Sequence, residues 1–336
     1  IDFKLTSTTL GLDEVVVYAG ENPAHRILKS IVKNKPNNRI DELDTYQCEK
    51  YAKVELDLEN IPPEWRERKL FKPFDFVFEN IDSTSDDKPF LPIYLHESLA
   101  EIYYSKGKGQ PKEIVKAQQI SINQMNKSFT EFIKQTESEY NIYDNWIYVL
   151  EKAFAGPLSK SGLLFYEYYL IVSAFVNGQW SYQLKFKPKR KQETTFYGDF
   201  WVADSSFAIQ RINMRMSPDV NINLVKRVII FQEFEIENDR WLPSKEKTII
   251  DFKQNEESLG IIARVTNSYK NYQVNNPEIK EFYEKVETNY DYEEVYKEDK
   301  EFWEAARHEP LSESEETTYT MIDSIGNVPV YKTYVD

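Results

Sequence analysis

The fold is decided by the segment LLFYEYYLIVSAFVNGQWSYQLKFK, residues 163–187. Asn177-Gly178 near its centre is a strong two-residue hairpin signal, because these residue types accept the positive φ angles of a type I′ turn. After the turn apolar side chains alternate with polar ones, which is typical of a strand with one buried face. Its apolar positions are Tyr182, Leu184 and Phe186. The segment therefore predicts an antiparallel strand pair.

The same alternation continues on both sides of this hairpin. No helical pattern interrupts it between residues 163 and 274, so neighbouring strands are expected to pair antiparallel as a meander. In the first predicted strand Cys48 takes an inward position, which favours a small buried side chain. The further predicted strands are residues 46–58, 91–104, 113–122, 195–202, 208–216, 226–236, 241–252 and 261–274.

Apolar residues at helical spacing predict helices before and after the meander. Asn22 is a typical N-cap for a helix that is expected to end before Pro36. Residues 128–140 form an amphipathic pattern, and a second helix is expected before Pro157. Two more helices are predicted after Pro277. A long twisted meander with helices available to fill its concave side stays open. The predicted fold class is α+β, with a long antiparallel β-meander forming an open half-barrel packed against several helices.

The charge of the chain argues against nucleic acid as a partner. Its 336 residues contain 42 basic and 56 acidic side chains, which gives a formal net charge of −14. A field of that sign repels phosphate backbones. Cys48 is the one cysteine, so no internal disulfide forms, and cysteine usage does not decide the compartment. The acidic residues after Glu278 are interpreted as a solvated helical region.

Motifs that carry chemistry are incomplete in this sequence. His96-Glu97 resembles the start of a zinc-protease motif, but Ala100 stands where the second histidine ligand would be. Gly107 and Gly109 lack the directly following lysine of a phosphate-binding loop. We therefore predict no catalytic residue, no metal and no cofactor. The enzyme alternative is a carbohydrate-active hydrolase that would use Asp199 and Trp201.

Two sets of residues are candidates for binding. Aromatic side chains of the meander could line an apolar groove, with core packing as the alternative. The groove candidates are Phe165, Tyr168, Tyr182, Phe186, Phe200 and Trp201. Five cations in seven positions could form a docking patch for anionic lipid head groups or an acidic partner, with a solvated strand end as the alternative. The docking candidates are Lys185, Lys187, Lys189, Arg190 and Lys191.

Several segments together resemble an uncharacterised Bacteroidetes-type outer-membrane family. Its members have a carboxypeptidase-regulatory-like domain, a conserved periplasmic region and a C-terminal β-barrel. The matching segments are residues 12–17, 19–27, 186–191, 196–202 and 307–311. More weakly, residues 204–209 and Trp241-Leu242-Pro243 are similar to the half-barrel of periplasmic lipoprotein carriers.

The resemblance implies a domain organisation. Residues 1–18 would be the end of the regulatory-like β-domain, and residues 19–160 a mixed region continuous with the half-barrel. Residues 161–276 would be the meander, and residues 277–336 an acidic helical segment that leads to a barrel outside this chain.

The function expected from these observations is binding rather than catalysis. The chain would be a periplasmic binding or docking module of an outer-membrane protein, anchored through that barrel, with a hydrophobic or lipoprotein client. Its partners would be outer-membrane or envelope proteins, with lipid or lipoprotein as further candidates. The alternatives are an accessory subunit of an outer-membrane assembly or export complex, and the carbohydrate-active enzyme.

Overall fold

The computed structural model describes residues 21–65, 67–68, 72–82, 89–121, 127–137, 139–176, 178–287 and 300–326. The regulatory-like segment predicted at residues 1–18, the hairpin residue Asn177 and the last part of the predicted C-terminal segment, residues 327–336, lie outside the described residues. No helix of the described part is long and apolar enough to cross a membrane.

Within the part of the chain that the structure describes, ten strands form one antiparallel sheet that does not close into a barrel. Its strands are β1 (Thr45–Glu59), β2 (Phe90–Ser105), β3 (Lys112–Ile120), β6 (Tyr166–Val176), β7 (Gln179–Pro188), β8 (Phe196–Ala203), β9 (Ile209–Met216), β10 (Val225–Glu237), β11 (Arg240–Phe252) and β12 (Gly260–Val274). They lie in the order β3-β2-β1-β12-β11-β10-β9-β8-β7-β6. The seven-strand meander is continuous, and β1 returns to pair with β12. The sheet is an open half-barrel, which confirms the predicted fold class.

Helices and a small hairpin cover the sheet. The helices are α1 (Pro23–Asn38), α2 (Lys127–Thr136), α3 (Gly162–Phe165), α4 (Pro277–Lys285), α5 (Lys300–Ala306) and α6 (Glu313–Gly326). Strands β4 (Trp146–Val149) and β5 (Lys152–Ala155) form the hairpin. Three 3-10 turns lie at Ile40–Glu42, Pro63–Trp65 and Lys72–Asn80.

We call the two sides of the sheet the inner and outer faces. The inner face carries Cys48 and Val54 of β1 and is covered by α1, α2 and the β4–β5 hairpin. Its largest core joins α1 and the hairpin to β6–β11, with Phe154 stacked on Phe196 at a centroid distance of 4.6 Å. The outer face carries Tyr51 and Leu99, which pack against Trp303 of α5.

Three local predictions need correction. Helix α1 continues through Pro36 to Asn38, because the Arg39 N–H donates to the Lys35 carbonyl and the Asn38 amide donates to the Ser206 carbonyl, both at 3.0 Å. These bonds hold the turn that proline alone would weaken. The helix expected before Pro157 is instead the β4–β5 hairpin.

The hairpin turns at Leu150 and Glu151, which both have positive φ. Neither leucine nor glutamate is a usual turn residue, so no turn signal is present at these two positions.

The start and the coverage of β6 also differ from the prediction. Phe165 ends the short helix α3, and the strand begins only at Tyr166. Residues 163–171 are apolar on both strand faces, a pattern that predicts cover on both sides. That prediction is wrong, because Leu164 is 64% and Ile171 48% exposed. Strand β6 is an edge strand, and the structure covers only the side that carries Tyr166 and Tyr168.

Candidate functional site

A cleft of about 440 Å³ lies on the inner face, between the sheet, the end of α1 and the segment that follows α2. That volume is in the range of small-molecule sites. Tyrosine is its most frequent lining residue. The lining tyrosines are Tyr46, Tyr104, Tyr140, Tyr143, Tyr269 and Tyr272. The rim is formed in part by the β2–β3 turn, through Gly109, Gln110 and Pro111.

An ion pair lies at one wall of the cleft. The Lys50 ammonium is 2.7 Å from the Glu139 carboxylate and 3.4 Å from that of Glu113. Burial opposes the charge of Lys50, but the two carboxylates outweigh it and raise the pKa of Lys50. Lys50 in turn lowers the pKa of Glu139. The Glu139 side chain is 49% exposed, so this carboxylate is open to a ligand.

Glu246 on β11 is another carboxylate of the cleft, which Asp41 and Asp144 also line. Burial, together with the nearby charge of Glu139, raises the pKa of Glu246 to about 8. The Tyr269 hydroxyl donates to Glu246 at 3.1 Å, and the Gln232 amide also donates to it. The same amide donates to the Tyr140 carbonyl at 2.6 Å, which ties the covering segment to the sheet.

The remaining walls are aromatic and fixed by hydrogen bonds. Tyr46 and Tyr104 stack with a centroid distance of 4.9 Å. Tyr272 donates to the Pro243 carbonyl at 2.8 Å. Cys48 is 2% exposed, and burial raises the pKa of its thiol to about 12, so it is an unreactive wall residue, as predicted.

The cleft therefore combines aromatic walls with carboxylates, one of which, Glu139, is paired with the ammonium of Lys50. Tyrosine offers a flat apolar ring with a polar tip. The carboxylates are hydrogen-bond acceptors for a cationic or hydroxyl-bearing group. Within the described residues no three His, Cys, Asp or Glu side chains converge as ligands for a metal ion. The arrangement is suited to holding an amphiphilic molecule.

A second buried polar cluster lies on the outer face. Glu97 accepts two hydrogen bonds from Arg307, at 2.7 and 2.9 Å, and one from Tyr319 at 2.8 Å. The Tyr51 hydroxyl donates a further bond to it. Although burial opposes its charge, Arg307 and Tyr51 lower the pKa of Glu97. The hydrogen-bond partners of Glu97 are residues of this chain, and two of them, Arg307 and Tyr319, belong to the C-terminal segment. The cluster therefore attaches that segment to the sheet.

His96, which suggested a truncated zinc motif, is 1% exposed in β2. Burial lowers the pKa of His96 to about 4, so its ring is neutral at pH 7. The acidic region after Glu278 is less solvated than expected. Glu309 pairs with Lys245, and Glu315 pairs with Lys53, so these acids attach the C-terminal segment to the sheet.

Five of the six groove candidates lie in or against the inner-face core, where the ring centroids of Tyr168 and Phe186 are 6.5 Å apart and those of Phe186 and Phe200 6.1 Å apart, but none of the six lines the cleft. Tyr168, Phe186 and Phe200 are buried in the inner-face core, each at most 2% exposed. Tyr182 donates to Asp204 at 2.6 Å. Trp201 lies on the outer face, where Arg211 stacks over its ring at 5.5 Å.

Phe165 contacts Trp146, with ring centroids 5.8 Å apart. As a ligand-binding set the six residues stay a prediction. Asp199, named with Trp201 for the enzyme alternative, accepts a hydrogen bond from Gln183 at 3.1 Å. Asp199 and Trp201 both lie on the outer face, opposite the cleft.

The docking candidates lie at the end of β7 and in the loop that follows. Lys187 pairs with Glu167 at 3.0 Å, and Arg190 pairs with Glu193. Lys189 donates to the Leu163 carbonyl. Lys185 and Lys191 are exposed. Their role in docking stays a prediction.

The cleft residues were missed because they are polar. A signal was present, since each lies in phase with apolar neighbours on its strand. Lys50 follows Cys48 by two residues, and Glu246 precedes Ile250 by four. Gln232 lies between Ile230 and Phe234. A polar residue at an inward strand position is expensive to bury without a partner, so it marks a cluster or a site.

A family model described as a family of unknown function (DUF5686) matches residues 27–272. No curated protein matches the chain. Among solved structures, a DUF1329 family protein from Desulfovibrio piger is similar at 11% identity and a TM-score of 0.30, over 76% of this chain and 95% of that chain.

A putative outer membrane lipoprotein-sorting protein domain from Vibrio parahaemolyticus is similar at 8% identity and a TM-score of 0.28, over 78% and 100% of the two chains. A LolA superfamily protein from Nitrosomonas europaea has 10% identity and a TM-score of 0.24, over 75% and 94%. At TM-scores this low, the similarities indicate neither a client nor a chemical activity for this chain.

Proposed function

This chain belongs to DUF5686, a family of unknown function, and we propose that it is a periplasmic binding module of an outer-membrane protein. Its client site is the tyrosine-lined cleft on the inner face. The periplasmic location and the anchoring through a barrel rest on the resemblance of the sequence to Bacteroidetes-type outer-membrane proteins.

The observation that carries the proposal is the composition of the cleft. A site for a bare acyl chain would be apolar throughout, whereas this cleft places Glu139, Glu246 and Gln232 among tyrosines. Each of these groups already has a partner in the chain, but a purely apolar ligand would remove water from them without replacing it. A ligand that offers polar groups is therefore favoured over one that does not. An amphiphilic client fits, with its apolar part on the tyrosine rings and a cationic or hydroxyl-bearing part at the carboxylates. A lipoprotein has this character.

A direct test is titration of the chain with an N-myristoylated basic pentapeptide, a minimal lipoprotein analogue, in a calorimeter. The same peptide without the acyl chain and myristate alone are the comparison ligands. We expect the acylated peptide to bind most tightly, because only it has both parts.

Two variants of the β2–β3 turn make the test specific for the cleft. Gln110 is exposed at the rim and lines the cleft, so Gln110→Trp narrows the entrance without disturbing the core. Lys108 lies in the same turn but does not line the cleft, so Lys108→Trp is the matched control. We expect Gln110→Trp to weaken binding about tenfold, which corresponds to ~1.4 kcal/mol, and Lys108→Trp to leave it unchanged. Equal affinity of both variants, or no binding of any ligand, contradicts the proposal.

A second candidate function is an accessory subunit of an outer-membrane assembly or export complex. The exposed cations at the end of β7 favour it, because they are available to a partner. The acidic C-terminal residues favour it less, since Glu309 and Glu315 are already paired within the chain.

A further inference from the structure

We propose that this chain docks on an anionic lipid membrane through an aromatic–basic surface at one end of the half-barrel. The surface is distinct from the cleft and does not depend on the cleft's function. It consists of Trp146, Tyr148, Leu164, Phe165, Lys189, Arg190 and Lys191.

The aromatic part is built by two short elements. In β4 the side chains alternate, so that Ile147 and Val149 are buried while Trp146 and Tyr148 are 46% and 62% exposed. The Trp146 ring meets the edge of Phe165 at the end of α3, with centroids 5.8 Å apart. Leu164, next to Phe165, is 64% exposed. The β4–β5 hairpin and the short helix α3 thus present three large side chains to solvent: Trp146, Tyr148 and Leu164.

The basic part is joined to the aromatic part by hydrogen bonds. The Lys189 N–H donates to the Phe165 carbonyl at 2.8 Å, and the Lys189 ammonium donates to the Leu163 carbonyl. Arg190 and Lys191 follow directly in the loop and are exposed. Glu193 pairs with Arg190, and its single charge leaves the three-cation loop positive.

Charge complementarity selects the occupant. In a chain with a net charge of −14 a positive loop stands out, and it would attract a negative surface. Acidic side chains alone would pair with the cations but would leave the exposed Trp146 and Leu164 without an apolar contact. Tryptophan and tyrosine are favoured where lipid head groups meet acyl chains, and lysine and arginine are attracted to anionic head groups. An anionic lipid surface satisfies both parts at once.

The test is co-sedimentation of the whole chain with vesicles. Vesicles of equal parts phosphatidylglycerol and phosphatidylcholine are compared with vesicles of phosphatidylcholine alone, at low and at high salt. We expect binding to the anionic vesicles, weaker binding at high salt and little binding to the neutral ones. Absence of binding to anionic vesicles at low salt overturns the proposal.

Matched variants separate this surface from general electrostatics. Arg190→Gln with Lys191→Gln removes two cations and should weaken binding about 30-fold. Lys280→Gln with Lys285→Gln makes the same charge change on α4, where both lysines are exposed, and should have little effect. Equal losses from both pairs would overturn a local docking surface.

A second double variant and its control test the contribution of the apolar side chains. Trp146→Ser with Leu164→Ser should abolish the binding that survives high salt, because that part comes from apolar insertion. Phe175→Ser with Trp180→Ser removes two other exposed aromatic residues, at the tip of the β6–β7 hairpin, and serves as the control. If Trp146→Ser with Leu164→Ser leaves binding intact while Arg190→Gln with Lys191→Gln removes it, the surface is one for acidic partners and the membrane proposal fails.

This experiment is independent of the cleft. The variant Gln110→Trp should bind the anionic vesicles as the unmodified chain does. A parallel loss in Gln110→Trp would show that the cleft, and not the aromatic–basic surface, holds the lipid.

Discussion

Two glutamates on opposite faces of one sheet have opposite surroundings. Glu97 on the outer face accepts hydrogen bonds from Arg307, Tyr319 and Tyr51, and its pKa is lowered. Glu246 on the inner face has Glu139 nearby, and its pKa is raised to about 8. The first cluster is closed by groups of this chain. The second is open towards a cleft, which is why we assign structure to the outer face and binding to the inner face.

The largest expected effect is at the outer cluster. Arg307→Ala would leave Glu97 buried without its cation, and breaking one side of a buried ion pair costs about 3–5 kcal/mol. Urea unfolding at pH 7 measures the loss. Lys300→Ala, on α5 and with a side chain 88% exposed, is the control and should change stability by less than about 0.5 kcal/mol. Equal stability of the two variants would show that Glu97 does not hold the C-terminal segment.

The two faces should also respond to pH in opposite directions. Glu246 has a pKa of about 8 in the folded chain against 4.5 unfolded, so its folded form holds the proton more tightly. Its stabilising effect is complete below pH 4.5 and is lost as the pH rises through 8. Glu97, with a lowered pKa, contributes above pH 4.5 and loses its contribution as the pH falls.

Glu246→Gln tests this pH dependence. The amide cannot ionise, so the variant should gain about 2 kcal/mol relative to the unmodified chain between pH 5 and 9, a value reduced because the cleft admits water. The free energy of unfolding is measured across that range by urea titration. A difference between the two proteins that stays constant with pH would mean that Glu246 is already ionised at pH 5.

The architecture of the sheet was readable from sequence because its signals are local. The alternation of apolar and polar residues predicts where the strands lie. The short connections between β6 and β12 predict that consecutive strands pair. The β4–β5 hairpin was missed because Leu150-Glu151 carries no turn signal. The end of α1 was missed because tertiary hydrogen bonds at Asn38 and Arg39 override the effect of Pro36.

The site was harder to predict because its residues are distant in the chain. Lys50, Glu139, Gln232 and Glu246 meet only when β1 returns to β12 and the segment after α2 crosses the inner face. Most of the aromatic candidates gather in the inner-face core, next to other core residues and outside the cleft. Phe186 and Phe200 have the right alternation for an inward position, but alternation does not tell a filled core from an open cleft.

A smaller difference should separate two tyrosines that donate to these glutamates. Tyr51 donates to ionised Glu97, and a hydrogen bond to a charged group is worth about 1.5–3 kcal/mol. Tyr269 donates to Glu246, which is largely protonated at pH 7, so its bond should be worth about 0.5–1.5 kcal/mol. Tyr51→Phe should therefore lose about 1 kcal/mol more than Tyr269→Phe in urea unfolding at pH 7. At pH 9 the gap should close, because Glu246 is then ionised; a gap that persists contradicts the assigned protonation.

The smallest effect on stability is expected for an ion pair that is exposed to water. Lys187 and Glu167 form an ion pair at 3.0 Å on β6–β7, with side chains 39% and 44% exposed. Solvent screens such a pair, so Lys187→Ala should cost at most about 0.5 kcal/mol, about a tenth of the effect at Arg307. Urea unfolding at low and high salt measures this cost, and Lys185→Ala, two residues away on the same strand, is the control. A loss of several kcal/mol would mean that the exposed pair stabilises the chain as much as the buried Arg307–Glu97 pair does. Burial would then not explain the contrast between Glu97 and Glu246.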